Sequence, residues 1–296
     1  MSTPEKSAYS LRGHLFDVPA IEAGLYLVST PIGNLSDITL RALEVLAASD
    51  VIACEDTRTS GVLLNHYGIT AKKLSYNEHN AQERGEELLQ IVEGGGAVSV
   101  ISDAGTPLVS DPGYRLVISA QEKGLAVHPV PGANAPLAAL IGSGLDNTSF
   151  TFAGFLPNKT QARQATFSRY ADRQETVMFF ESPNRISDAL KDAQSVFGGE
   201  REACVARELT KLHETYHRGS LADLQLEFDA MERVRGEIVL LIAGAEMQTY
   251  SDDYLNDRLL ALLDEMKPGK AASVVAEETG ISRQELYKRV LDLKNQ

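Results

Sequence analysis

The stretch SDAGTPLVSDPG at residues 102–113 decides the reading of the fold, because of the segments on either side of it. It continues the apolar, β-branched run at 98–102 and leads into an amphipathic stretch at 113–123. Gly and Pro let a backbone turn sharply and approach a ligand closely, while Asp, Ser and Thr offer specific hydrogen bonds. A strand, a loop of this chemistry and then a helix make one unit of an α/β fold. The same unit recurs outward in both directions. Strand-like runs fall at 25–30, 50–53, 73–76, 98–102 and 126–130, with helix-like stretches at 38–48, 59–67, 81–93, 113–123 and 134–143. Short continuous apolar runs alternating with amphipathic helices predict a parallel, doubly wound sheet covered on both faces.

After Gly144 the texture changes. Strand-like runs at 149–155, 176–180, 203–207, 214–219 and 237–242 enclose helical stretches at 161–170 and 185–196, and the last three have little helix between them. A second sheet of mixed direction follows from that spacing. The segment from Ser251 is helical. It carries leucines at 255, 259, 262 and 263, a stop at Lys267-Pro268-Gly269, and a third helix opening at Ser282. Ser282 and Glu285 have the spacing of a capping box, with Ile281 and Leu286 at the positions of a hydrophobic staple. Two helices joined through Gly280, the second bearing Arg283, Gln284, Lys288 and Arg289, fit a helix-turn-helix; a helical bundle docking on a neighbour fits equally. The expected organisation is an N-terminal extension at 1–23, a first α/β domain at 24–145, a second at 146–247 and a helical tail at 248–296.

Bulk properties narrow the function. With 296 residues, 43% hydrophobic and 23% charged, the chain can build more than one core. Cys54 and Cys204 sit in separate hydrophobic runs and read as small buried apolar groups. There is no CxxC, His cluster or HExxH, so no metal site is expected. No stretch reaches about 18 apolar residues, and the polar start MSTPEKSAYS lacks a signal h-region, so a cytoplasmic protein without a membrane span is expected. A net charge of −13 argues against coating nucleic acid by charge alone. Positive potential is available in the middle third, which carries arginines 163, 169, 173, 185, 201, 207 and 218.

In a doubly wound sheet ligands sit beyond the carboxyl ends of the strands. Four loops expected at that edge carry unusual chemistry: Ser29-Thr30-Pro31-Ile32-Gly33-Asn34, Cys54-Glu55-Asp56-Thr57-Arg58, residues 102–113, and Pro131-Gly132-Ala133-Asn134. The absence of GxxxxGK[ST] excludes a P-loop, and Pro31 stands where a dinucleotide fingerprint needs glycine. No GxSxG elbow is present. Asp103 and Asp111 suit amine or hydroxyl recognition better than pyrophosphate. The expected ligand is polar but not a polyphosphate, and a nucleoside carrying an amino acid fits.

Eight segments appear in order: VSTPIGNLSDITLRA, ACEDTRTS, ISDAGTPLVSDPGY, PVPGANA, FAGFLP, FFESPNRI, ARELTKLHE and RGEIVLLIAG. Together they resemble the tetrapyrrole-methylase-like class of S-adenosylmethionine (SAM) methyltransferases over about residues 23–245. More narrowly they are similar to its branch acting on small-subunit ribosomal RNA. The resemblance implies a homodimer with a cofactor cleft between two α/β domains. It also implies transfer of a methyl group to a cytidine ribose 2′-OH of 16S rRNA, free or in the small ribosomal subunit. Carried over residue by residue, it assigns the cofactor to Pro31, Ser102, Asp103, Gly105, Thr106, Ala133, Asn134, Leu212 and Ile238. Small-molecule relatives often show Gly-Asp-Pro where this chain has Ser102-Asp103-Ala104, which favours the RNA branch.

A ribose hydroxyl is a poor nucleophile, so a base or strong acceptor is expected. Carboxylates in reach of the expected cleft are Glu55, Asp56, Asp103, Glu181 and Glu208. Glu208 is taken as the base and Lys211 as the holder of phosphate or nucleophile, with Asp56 and Asp103 as further candidates; a domain-bracing ion-pair set is the alternative for the RELTK segment. His79 and His213 are read as structural. Arg58, Arg163, Arg169, Arg173 and Arg185, with the third tail helix, are the expected RNA contacts. Two rival functions stay open on sequence: a small-molecule, tetrapyrrole-type methyltransferase, and a non-catalytic RNA-binding module with a SAM pocket.

Overall fold

The computed structural model describes residues 7–77, 79–108, 113–246 and 250–294. The chain divides into two compact units, one up to Ala245 and the other from Glu246. Asp111 lies outside the described residues.

The first unit opens with a hairpin, β1 (Ala8–Leu11) and β2 (His14–Asp17), whose Tyr9 ring stacks on Phe16. There follow β3 (Gly24–Val28), α1 (Leu40–Ala48), β4 (Val51–Cys54), α2 (Thr57–His66), β5 (Lys72–Ser75), α3 (Ala81–Glu93), β6 (Ala97–Ile101), α4 (Tyr114–Glu122), β7 (Val127–Val130) and α5 (Ala135–Ser143). The sheet order is β5-β4-β6-β3-β7 and every pairing is parallel. β4 and β6 are buried along their whole length, as strands covered on both faces must be. One face packs Leu43, Leu46 and Leu64 from α1 and α2; the other packs Leu88, Leu89 and Leu116 from α3 and α4.

The second sheet is built from β8 (Phe150–Phe155), α6 (Thr160–Ser168), β9 (Thr176–Glu181), α7 (Ile186–Phe197), β10 (Glu202–Arg207), β11 (Thr215–Ser220), α8 (Leu221–Asp229) and β12 (Ile238–Ile242). Its order is β11-β10-β12-β9-β8. Only β8 and β9 run parallel; the other pairs are antiparallel. The fold is thus the two-sheet α/β architecture expected, a parallel sheet followed by a mixed one, with a helical tail. Two elements differ from the sequence reading. The β1–β2 hairpin was not foreseen, because its strands are short and β2 is exposed. Helix α8 was not foreseen either, since Leu221, Leu224 and Phe228 give it a narrow apolar stripe in a segment read as connection.

One helix joins the sheets. α5 follows the last strand of the first sheet, yet Ala139 and Leu140 pack with Cys204, Ala206, Val239 and Leu241 of the second. Its C-terminal carbonyls are capped from β11: Arg218 donates to Gly142 O at 2.5 Å and Ser143 O at 2.9 Å, and the Tyr216 hydroxyl donates to Ala138 O at 3.1 Å. A cation at a helix C-terminus is favoured by the macrodipole. Cys54 and Cys204 are buried free thiols, and burial pushes Cys204 up to about 11.

The second unit holds α9 (Asp252–Leu263), α10 (Pro268–Thr279) and α11 (Arg283–Lys294) around Leu255, Leu259, Val275, Leu286 and Val290. Ser282 Oγ accepts the Glu285 amide at the start of α11, as the capping pattern required. Arg289, one of the basic residues expected on the third tail helix, is bound to Asp252 at 2.6 Å. No helix among the described residues is long and apolar enough to cross a membrane.

Arg163 needs a correction. Expected among the arginines open to an anionic partner, it is only 2% exposed. Its Nε donates to Asp192 Oδ2 at 2.7 Å, so the pair ties α6 to α7 beneath the surface. Breaking a buried ion pair strands the surviving charge at a cost of roughly 3–5 kcal/mol. Asp192→Ala should therefore lower stability by about that amount in chemical denaturation, while a doubly apolar Arg163→Met/Asp192→Leu chain should recover most of it. Equal loss in the two variants would overturn this account.

Candidate functional site

The carboxyl edge of the first sheet is stapled by hydrogen bonds between its loops. β3 and β6 are neighbours, and beyond their ends Thr30 and Gly105 form an isolated antiparallel bridge, with Thr30 N–H donating to Gly105 O at 2.9 Å and Gly105 N–H to Thr30 O at 3.1 Å. The Thr30 hydroxyl donates to Ser102 O at 3.3 Å. Next to the bridge, the Thr106 hydroxyl joins three loops. It accepts from Ser29 Oγ at 3.2 Å and from Asn134 Nδ2 at 3.4 Å, and donates to Ala133 O at 3.2 Å. Asn134 also caps α5 by accepting the Leu137 amide. The β4 loop is tied in through the Asp56 amide, which donates to Asp103 Oδ1 at 3.3 Å. All four loops singled out in the sequence therefore meet at one edge.

Facing them across a cleft of about 490 Å³ are the ends of β9 and β12 and the loop after β10. The first-sheet wall comes from Ile32, Glu55 and Asp103 to Thr106, with Asn134 and the first turn of α5; Phe180 to Pro183, Arg185, Leu209 and Gly236 to Val239 form the other. Pockets of this size, largely apolar with a few placed polar groups, are the usual form of a small-molecule site. Ile32, Leu209, Ile238 and Val239 supply the apolar part. Four carboxylates against one arginine make the lining negative. That set suits a zwitterion bearing a second positive centre, such as the sulfonium of SAM, and not a polyphosphate.

Of the residues expected at the cofactor, Asp103, Gly105, Thr106, Asn134 and Ile238 line the cleft. Pro31, Ser102 and Ala133 stand one step behind. Pro31 is buried beside Ile32, the Ser102 hydroxyl bonds the backbone of its own loop, and Ala133 O is taken by Thr106. Leu212 is 92% exposed and is not among the lining residues. Phe155, Phe180 and Leu209 line the cleft but were missed as site residues, because each looks like ordinary strand or loop hydrophobe until the second sheet turns it toward the first. Their only sequence signal was membership of the FAGFLP, FFESPNRI and ARELTKLHE segments.

The RELTK loop is strained and heavily bonded. Glu208 and Thr210 have φ of 52° and 64°, a left-handed conformation costing about 1–3 kcal/mol each outside glycine. It is held by Glu208 N–H to Glu237 O at 3.0 Å and Thr210 N–H to Glu214 Oε2 at 2.6 Å. Lys211 Nζ lies 2.7 Å from Glu208 Oε1 and 3.1 Å from Glu237 Oε2. Its stem covers the β3 loop so closely that a methyl at Gly33 would fall 2.5 Å from Lys211 Cγ. The hydrogen bond from Lys211 holds the Glu208 carboxyl below its usual range. Burial pulls the Lys211 ammonium down, but hydrogen bonds to Glu208 and Glu237 more than offset this, so its pKa is raised. A carboxylate so stabilised is a weak base, and this geometry favours bracing over the proton transfer expected of Glu208. Asp56 is likewise held down, to about 2, by the side-chain hydrogen bond from Arg58, which is itself committed to Asp56 at 2.8 Å. Glu181 Oε1 accepts from Arg185 Nε at 2.8 Å and Nη2 at 2.6 Å, which fixes that guanidinium on the cleft wall. Arg169 and Arg173 are exposed on the α6 side, Arg173 paired with Glu175.

The residues matched by the model of the tetrapyrrole (corrin/porphyrin) methylases, 24–225, cover the first sheet and all of the second but β12, and the chain belongs to that family. Solved structures agree on the fold: a cobalt precorrin-4 methyltransferase (TM-score 0.57, 19% identity, 74% of this chain and 94% of that one) and a diphthine synthase (0.57, 15%, 74% and 89%). Within the family the chain is a member of the ribosomal RNA small subunit methyltransferase I group. It is 49% identical to the protein of that name from Mesorhizobium japonicum over 94% of this chain and 96% of the relative, and 43% identical to that from Escherichia coli O157:H7 over 90% and 94%. A second model, the RsmI C-terminal HTH domain, matches residues 251–294.

The Glu208–Lys211 brace has a definite pH window. Glu208, with its pKa lowered on folding, contributes stability above its ordinary value of 4.5 and loses it as pH falls through the lower folded value; Lys211, with its pKa raised, contributes below 10.5 and loses it as pH rises beyond. Glu208→Gln should thus cost on the order of 1 kcal/mol at neutral pH. The gap to the parent chain should narrow as pH falls below 4.5 and close below the lowered folded value. A gap independent of pH in urea titrations would show that the ion pair is not its source.

Proposed function

We propose that this chain is a SAM-dependent methyltransferase that modifies the ribose 2′-OH of a cytidine in 16S rRNA, working in the cytoplasm as a homodimer. The observation that carries this reading is the likeness to small-subunit rRNA methyltransferases along nearly the whole chain. The stapled, negatively lined cleft supports it. The proposed division of labour follows the expected domains: residues 24–145 supply most of the cofactor contacts, residues 146–247 close the cleft over the cofactor and receive RNA, and the helical tail at 248–296 assists RNA docking.

Asp103, Gly105, Thr106, Asn134 and Ile238 would hold SAM, which when bound supplies an activated methyl on a cationic sulfur. Because the leaving group needs no further activation, the protein's task is alignment for direct displacement, which can lower the barrier by roughly 7–11 kcal/mol. The Thr30–Gly105 bridge and the Thr106 junction fix the loops before any ligand arrives. Among the carboxylates, Asp56 and Glu208 are stabilised as anions by Arg58 and Lys211, while Glu181 and Glu237 are bonded to Arg185 and Lys211. Asp103 is exposed on the wall of the cleft. It is assigned the task of accepting the hydrogen bond, and then the proton, of the ribose hydroxyl.

Methyl incorporation from labelled SAM into small subunits lacking the modification, followed by mapping of 2′-O-methyl sites, tests the reaction; methylation of a porphyrinogen, or SAM binding without turnover, would overturn it. Asp103→Asn should lower kcat by about 10²-fold or more with a smaller change in SAM affinity. A loss confined to SAM affinity would return Asp103 to cofactor binding alone. Arg169→Glu/Arg173→Glu should weaken RNA binding and reduce the slope of log K against log salt by about one for each phosphate no longer neutralised. An unchanged slope removes these arginines from the interface.

A further inference from the structure

β8 carries a bulge at the mouth of the cleft. Phe152 pairs with Met178 and Phe155 with Phe180, so three steps along β8 match two along β9. Gly154 takes φ of +77° within it. In a regular strand, residues three apart point to opposite faces. Here the extra residue brings Phe152 and Phe155 onto the same side, with ring centroids 4.8 and 5.1 Å from Phe180. Bulges commonly re-aim a side chain next to an active site. Phe155 emerges 62% exposed on the cleft wall, backed by the Phe180 ring instead of being covered by the core. The residue after Phe180 is Glu181, which anchors the Arg185 guanidinium on the same wall.

An exposed, buttressed aromatic face on a cleft wall is what single-stranded nucleic acid recognition uses to take a base. Resting on the rRNA-methyltransferase reading above, we infer that Phe155 is the stacking platform for the nucleobase of the target nucleotide, swung out of the RNA so that its ribose can enter the cleft. The cofactor is not the preferred partner of this ring. Among the lining residues Ile32, Ile238 and Val239 are 7%, 3% and 3% exposed, whereas Phe155 is 62% exposed. A flat ring here also offers RNA an attraction that does not depend on charge, in a chain whose net charge is −13.

The test compares Phe155→Ala, Phe155→Leu and Phe155→Trp with the parent chain as intact proteins, using small subunits lacking the modification as RNA substrate. The alanine and leucine variants should raise KM for RNA roughly ten- to hundredfold, leave the SAM dissociation constant from calorimetry within about twofold, and keep the parental melting temperature and oligomeric mass. Phe155→Trp should restore KM. Three outcomes overturn the inference: KM for RNA unchanged in both variants, SAM affinity falling in place of KM, or an altered oligomeric mass that assigns the ring to a subunit interface. If the parent chain itself does not methylate the subunit, the function reading fails; if the parent is active and the variants match it, only the stacking role fails.

Discussion

The antiparallel bridge between Thr30 and Gly105 is the constraint on which the cleft depends. It forces two loops from adjacent parallel strands to run as one rigid lip, although neither is regular structure. Loops usually leave backbone groups to water; these bond each other and leave side chains such as Asp103 to face outward. The Thr106 hydroxyl, used as both donor and acceptor, then fixes the start of α5 against the same lip. A site assembled in this way is ordered in advance, which is what the displacement proposed above needs, since such a step depends on alignment more than on new chemistry from the protein.

α5 carries that order to the other half of the molecule. It starts from the lip, buries Ala139 and Leu140 against the second sheet, and ends under Arg218 and Tyr216. The RELTK loop answers from the opposite side, with Lys211 reaching over the β3 loop. The two walls are thus joined by a helix at one place and a strained, ion-paired loop at another. Strain at Glu208 and Thr210 persists because backbone and side-chain hydrogen bonds over-determine the loop. Asp56 and Glu208, which look catalytic in the sequence, are held here in ion pairs, and their lowered pKa values are the physical signature of that pairing.

Several of the cations that the sequence offers to RNA are committed internally. Arg163 is buried on Asp192, Arg289 is paired with Asp252 and Arg58 with Asp56. Counting arginines in the middle third therefore overstates the positive surface, because sequence shows that a cation is present but not whether another segment neutralises it. The converse holds for Phe155, which sequence marks as a strand hydrophobe and the β8 bulge turns into cleft wall against Phe180.

The sequence by itself determined the alternation of strands and helices, the parallel character of the first sheet, the four loops at its edge and the capped third helix of the tail. Each is a local property: apolar period, Gly and Pro placement, and capping spacing are written within a dozen residues. What only the tertiary structure decided is which side chains are free to act. Register across β8 and β9, burial of Arg163, and the pairing of Glu208 with Lys211 and Glu237 depend on contacts between segments far apart in the chain, and burial and charge pairing there set both reach and pKa. The loop at 102–113 could be recognised from its own residues, but its shape is held by Thr30, Ser29 and Asn134, which no local pattern connects to it.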